Sequence, residues 1–370
     1  MDSNSYEFTA IRGVQAGTAY YVIMVPLKVV SRLFRFDDES MPATLRAQRV
    51  LNKSRVPAIS RYITENQSEY ILSSLCASID GDLEFIPAEP DGPLRSVGKL
   101  RISMSATILI NDGQHRRAAI EDAVRERPFL GEETISVVIF VDMGLRRSQQ
   151  MFADLNIHAV RPTKSIKLLY NHRDALAGLS RDVINEIPLF RDFTDLENTS
   201  ISNRSMKLFT LSSIHQATAE LIGKPRNGKV EPEDKAFAVL FWTKVISEMP
   251  DWQRVGTREV AAAELRRDYI HAHGVAVQAI ATAGAQLVRE RPAEWQKLLS
   301  KLRDVDWSRA NRTLWDGRAL IAGKVNRGKN NVLLVSNVIV RALGLSLAAE
   351  AQRVEDLYAP SGALLMKTAN

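Results

Sequence analysis

The spacing of apolar positions changes part-way along this chain. Up to about residue 165, short β-branched and apolar runs alternate with amphipathic stretches; beyond it, apolar residues recur every three or four positions. Unbroken or alternating apolar runs mark strands, and a 3.6-residue period marks helices. Residues 20–30 read as a strand leading out of a polar N-terminal arm, with Pro26 near its end. Residues 44–63 read as helical, with a kink or restart at Pro57, since proline has no N–H to donate. A strand over 70–79 precedes 80–100, where Gly81, Pro87, Pro90, Gly92, Pro93 and Gly98 suggest an inserted loop. Residues 101–110 read as another strand, followed by a turn and a helix over 116–124. The run 134–141 (TISVVIFV) is the clearest buried strand, and 145–155 reads as a helix that Asn156 would end. Helical periodicity then dominates over 208–222, 233–248, 259–269, 273–290, 294–302 and 332–348. The expected fold class is α/β (α+β): a mixed sheet with helices over 1–175, a connecting segment over 176–205, and a mostly helical domain over 206–370.

Charge adds direction to this outline. The formal net charge of +6 is modest for 370 residues, but its distribution is uneven. Between 41 and 64 stand Arg46, Arg49, Lys53, Arg55 and Arg61 with no acid; between 317 and 349 stand Arg318, Lys324, Arg327, Lys329 and Arg341, again with none. Arg161, Lys164 and Lys167 extend the positive set. Clustered charge of one sign is the footprint of a polyanion partner, although a basic solvated surface would look the same in sequence. No apolar run approaches the length of about 18 residues that a bilayer demands, and residues 1–9 lack the pattern of a signal peptide. The single cysteine, Cys76, excludes an internal disulfide, fits a reducing cytoplasmic location, and reads as a small buried hydrophobe. His271 and His273 stand two apart and lack an evident third ligand, so no metal site is expected. Neither a P-loop nor a Gly-x-Ser-x-Gly elbow is present. All five tryptophans fall in the helical part, where core packing is the default for at least four.

The densest chemistry lies at Asp112-Gly113-Gln114-His115-Arg116-Arg117. A strand ending at Asp-Gly and turning into a helix aims backbone N–H groups at the turn, and the helix start favours an anion. His115, Arg116 and Arg117 add donors, and arginine can hold phosphate with two parallel bonds. The same letters also suit an ordinary Asp-Gly turn before a solvated helix face.

The run Asp112-Gly113-Gln114-His115-Arg116 is the signature of the DGQHR-domain proteins, and the wider chain resembles the DndB family, associated with bacterial DNA phosphorothioation gene clusters. Residues 21–30 (YVIMVPLKVV), 47–63 (AQRVLNKSRVPAISRYI), 151–165 (MFADLNIHAVRPTKS) and 324–333 (KVNRGKNNVL) carry the rest of the resemblance. More distantly, the order of elements is similar to the ParB/sulfiredoxin fold, whose equivalent turn binds nucleotide phosphates. The sulfiredoxin cysteine is Gln114 here, so thiol chemistry does not carry over. The resemblance implies a DNA-binding repressor of a phosphorothioation cluster that acts on the cluster's own promoter, with other phosphorothioation proteins as further partners. A symmetric operator would imply a homodimer. The implied phosphate site is Asp112, Gly113, Gln114, His115, Arg116, Arg117 and Asn156, with ATP or CTP as the candidate ligand and no catalytic residue assigned. The DNA contacts would be Arg46, Arg49, Lys53, Arg55, Arg61, Arg161, Lys164, Lys324, Arg327 and Lys329. The alternative is a slow NTP hydrolase that assists the modification machinery.

Overall fold

The computed structural model describes residues 5–34, 54–141, 162–224 and 228–358. The chain is mixed α/β and divides into two compact units, 1–160 and 161–370.

The first unit is built on a seven-stranded sheet. Its strands are β1 (Ser5–Gln15), β2 (Thr18–Pro26), β3 (Leu75–Asp80), β4 (Leu83–Pro87), β5 (Val97–Ser103), β6 (Thr107–Asp112) and β7 (Thr134–Val141), in the order β4-β5-β1-β2-β7-β3-β6. Every pairing is antiparallel except that of β3 with β7. The helices are α1 (Leu27–Leu33), α2 (Val56–Glu65) and α3 (Gln114–Glu126), and α3 packs against both α1 and α2. Val30, Phe34, Ile63, Ile120 and Leu130 join Ile23, Leu75, Ile79, Leu100 and Val137 in one core.

Several expectations change here. The polar arm is strand β1, which buries only Ala10 and is held by backbone pairing to β2 and β5. Periodicity is faint in a strand with so little buried side chain. The strand expected over 20–30 ends at Pro26, and the residues after it form α1. The loop expected over 80–100 contains β4 and the start of β5, because its glycines and prolines mark the turns flanking a short strand. The strand expected over 101–110 is two strands: β5 ends at Ser103, while β6 lies at the opposite edge of the sheet beside β3. Pro57 falls in the first turn of α2, where its missing N–H costs nothing. The helix expected over 145–155 lies outside the described residues.

The second unit is helical: α4 (Lys164–Tyr170), α5 (Ala175–Glu186), α6 (Pro188–Phe193), α7 (Leu211–Ile222), α8 (Pro232–Ser247), α9 (Pro250–Gly256), α10 (Ala262–Asp268), α11 (Gly274–Glu290), α12 (Trp295–Leu298), α13 (Arg312–Trp315), α14 (Lys329–Ala342) and α15 (Ala349–Leu357). Two short strand pairs, Thr194–Asp195 with Phe209–Thr210 and Leu320–Ile321 with Lys324–Val325, fasten loops. The stretch 176–205 is helical over much of its length, and Leu179, Val183 and Phe190 lie in the core, so it does more than connect. Alanine-rich α11 lies against α7 and α14. All five tryptophans are buried, and Phe190, Phe209, Phe241, Trp242 and Trp252 meet edge to face at centroid distances of 5.0–5.6 Å. Such pairs contribute roughly 0.5–1.5 kcal/mol each beyond their buried area. No tryptophan is therefore free to stack on a base.

Candidate functional site

The signature turn stands at the end of edge strand β6, where Gly113 adopts φ +106 and hands the chain to α3. Only glycine holds this conformation without strain. A Cβ here would also lie 2.5 Å from Leu75 Cδ2, so the turn sits tightly on β3. No side chain caps α3 and its first turn holds no acid; the carboxylate beside the positive end of the helix is Asp112, just ahead of Gly113.

Arg116 does not face outward. Its Nη2 donates to Asp112 Oδ2 at 2.7 Å; its Nη1 donates to the carbonyls of Ser73 at 2.7 Å and Ser74 at 2.9 Å, and also to Ser73 Oγ. The guanidinium thus ties the start of α3 to the segment that enters β3. Asp112 is half exposed and is held in the same ion pair. Arg117 lies mostly buried, donating to the Ser31 carbonyl at 3.3 Å beside Glu121 at 3.5 Å; its Nε is buried with no partner among the described residues. Gln114 is buried, and Asn111, one residue before Asp112, is fully so.

His115 is half-buried, and its pKa lies below the ordinary histidine value. Burial is the main cause and the Arg55 charge the second, while Asp112 opposes both. The like-charge effect on His115 comes from Arg55, at the start of α2. The fold thereby brings together His115, Arg55 and the uncapped start of α3, three positive or hydrogen-donating features from two helices. Arg61 is exposed further along α2. Arg46, Arg49, Lys53, Asn156 and Arg161 lie outside the described residues. Beneath the turn, Cys76 pairs with Asp112 across β3 and β6, and burial pushes its thiol pKa up to about 11. That thiol is a core residue, not a nucleophile.

The late basic cluster is altered by its tertiary neighbours. Arg318 pairs bidentately with Glu355 at 2.8 and 2.5 Å, and Arg341 reaches the same carboxylate at 2.9 Å. Lys329 lies 3.3 Å from Glu350. Both acids belong to α15, just beyond the acid-free window, so much of that positive charge is neutralised. Lys324 is exposed on its short strand. Lys164, Arg327 and Lys329 line one cavity of about 510 Å³ in the helical unit, together with Glu220 and Glu350.

His271 and His273 occupy the loop before α11 rather than a helix. His271 accepts from Trp252 Nε1 at 3.2 Å and donates to Asp251 at 3.1 Å, while His273 Nε2 donates to the Arg266 carbonyl at 2.8 Å. Among the described residues, no three His, Cys, Asp or Glu side chains converge on a metal-sized space. Nor is any described helix long and apolar enough to cross a membrane.

Comparison with known protein families matches residues 8–346 to DndB, described as DNA-sulfur modification-associated. No curated protein and no solved structure matches the chain.

Proposed function

The chain belongs to the DndB family of DNA-sulfur modification-associated proteins, and from that membership we propose that it is a DNA-binding repressor of a DNA phosphorothioation gene cluster, acting on the cluster's promoter. The observation that carries this reading is the positive locus at the signature turn, where exposed Arg55 and half-buried His115 flank a helix start with no acid in its first turn. Helix starts and cationic side chains bind DNA phosphates without reading sequence, and they make affinity salt-dependent. His115, held neutral at physiological pH, would donate one hydrogen bond to a phosphate. A ParB/sulfiredoxin-like role for this turn, a homodimer on a symmetric operator and a cytoplasmic location complete the proposal. What supports the first is the order of elements around Gly113.

The hydrolase alternative has less support. It needs Asp112 to position water or metal while Arg116 and Arg117 grip phosphate, but Asp112 and Arg116 are bonded to each other and Arg117 is turned toward α1. An electrophoretic shift assay with the promoter fragment, with and without ATP or CTP, tests the proposal. A salt-sensitive complex that forms without nucleotide is the expected result. Failure to bind the fragment at low salt, or nucleotide turnover at an ordinary enzymatic rate of ~1–10³ per second, would overturn it.

A further inference from the structure

The helical unit holds a larger cavity, about 810 Å³, apart from the signature turn, and of the expected site residues Arg327 lines it. Four guanidinium-bearing residues line it, Arg266, Arg267, Arg309 and Arg327, against one carboxylate, Glu264. Two helices begin on its wall: α7, after its N-cap Thr210, and α11, after His273. Neither has an acid in its first turn. Both are long enough for their first N–H groups to carry the positive end of a helix dipole.

Arg327 is the centre of this arrangement. It is largely buried, its Nη1 donates to Ser213 Oγ at 3.2 Å and its Nη2 to Gln216 Oε1, and no carboxylate among the described residues pairs with it. A buried cation held only by neutral groups is costly unless an anion completes its environment. The site is also shaped for that side chain. A Cβ at Gly274, the first residue of α11, would lie 2.7 Å from Ser213 Oγ and 2.9 Å from Arg327 Nη1, so only glycine admits the guanidinium against the helix start. Arg309 is oriented by the carbonyls of Arg267 at 3.1 Å and Gly323 at 2.9 Å; it feels the Asp268 charge, but no carboxylate among the described residues forms an ion pair with it. Arg266 is fixed by carbonyls at 202, 205 and 207 and so frames the wall. Arg267 is exposed and bridged to Asp268 at 2.7 Å. Ile201, Val275 and Val325 add apolar surface.

We infer that this cavity binds a small molecule carrying two linked phosphates beside an aromatic base, of the nucleoside diphosphate class. The volume falls within the roughly 300–1,000 Å³ of small-ligand sites. Two helix starts and an unpaired buried arginine suit more than a single negative charge, since each can take a different oxygen of a linked phosphate pair. Arg327 then serves a cavity ligand instead of a DNA backbone.

Calorimetric titration of the full chain with ADP, pyrophosphate and adenosine tests the inference. ADP and pyrophosphate should bind and raise the melting temperature, whereas adenosine should do neither. Arg327→Gln and Arg309→Gln should each weaken ADP binding about tenfold or more, the loss expected for one charge-assisted contact. Arg289→Gln, at the far end of α11, should change nothing. If Arg327→Gln does not fold, exposed Arg267→Gln and Arg309→Gln decide, and weakened ADP binding in both supports the site. The inference is overturned if neither phosphate compound binds, or if the variants bind ADP as well as the parent does. It is also overturned if Arg55→Gln removes ADP binding, which would place the ligand at the signature turn, or if unrelated duplex DNA displaces ADP, which would make the occupant a DNA phosphate.

Discussion

Arg116 in the sheet unit and Arg327 in the helical unit both reach the start of a helix where only a glycine fits, yet they end in opposite surroundings. Arg116 meets a carboxylate, two backbone carbonyls and a hydroxyl, so its donors are taken up by its own fold. Arg327 meets a hydroxyl and an amide oxygen beside a cavity, and no carboxylate among the described residues pairs with it. The lesson is that arginine beside a helix start is not evidence of a ligand until its partners are counted. In the signature turn the arginine braces the fold; in the late basic cluster Arg327 is the better anion-binding candidate.

The sharpest way to break this contrast is Arg116→Ala. If the side chain is a brace, the variant should lose about 2–4 kcal/mol, since several charge-assisted bonds vanish and Asp112 loses its partner. Urea denaturation measures this. A variant as stable as the parent but weak in DNA binding would restore the phosphate-gripping reading of the motif.

The late basic cluster offers a second test, through Glu355. Its pKa is held at about 2, below the ordinary glutamate value of 4.5; Arg318 and Asn337 hydrogen bonds lower it against the opposing effect of burial. A carboxyl depressed in the folded state contributes stability that is fully present above pH 4.5 and lost as pH falls toward 2. Glu355→Gln should therefore cost ~2 kcal/mol at pH 7 and much less near pH 2–3. An equal cost at both pH values in denaturation experiments would mean that packing, and not charge, explains the contact.

A smaller effect separates outward-facing from inward-facing bases. Arg55→Gln should weaken promoter binding by ~1 kcal/mol and reduce the log–log salt slope by about 0.9, the value for one phosphate contact. Arg341→Gln, whose charge is already engaged by Glu355, should leave that slope alone. Equal changes in both variants, read by fluorescence anisotropy across a salt series, would erase the distinction. Smallest is the effect at Cys76. With its thiol pKa raised to about 11, a thiol reagent at pH 8 should label the native protein slowly and the urea-unfolded chain quickly. Rapid native labelling would mean the turn above it opens.

Much of the fold was legible because local pattern and tertiary role coincide. The strand Thr134–Val141 and the helices Leu211–Ile222 and Gly274–Glu290 bury regular apolar stripes, and periodicity records such burial directly. β1 and β4 were hidden because their stability comes from backbone pairing with partners up to about a hundred residues away, which leaves little trace in side-chain alternation. Within 176–205 the same reasoning covers α6, which turns only Leu189 and Phe190 into the core; α5 buries a fuller apolar face, Leu176, Ala177, Leu179, Val183 and Ile184, and was legible in principle.

By itself the sequence determined the mixed α/β class, the strand–Gly–helix turn at Asp112-Gly113-Gln114, the burial of Cys76 and the tryptophans, and the family. All of these rest on local stereochemistry or on the residues' own hydrophobicity. Tertiary structure alone decided which charges are answered. Arg116 found Ser73 and Ser74 some forty residues earlier; Arg318 and Arg341 found Glu355 on a later helix; Arg327 found no carboxylate among the described residues. Electrostatic energy depends on distance through space and on burial, and neither is written in the order of the residues.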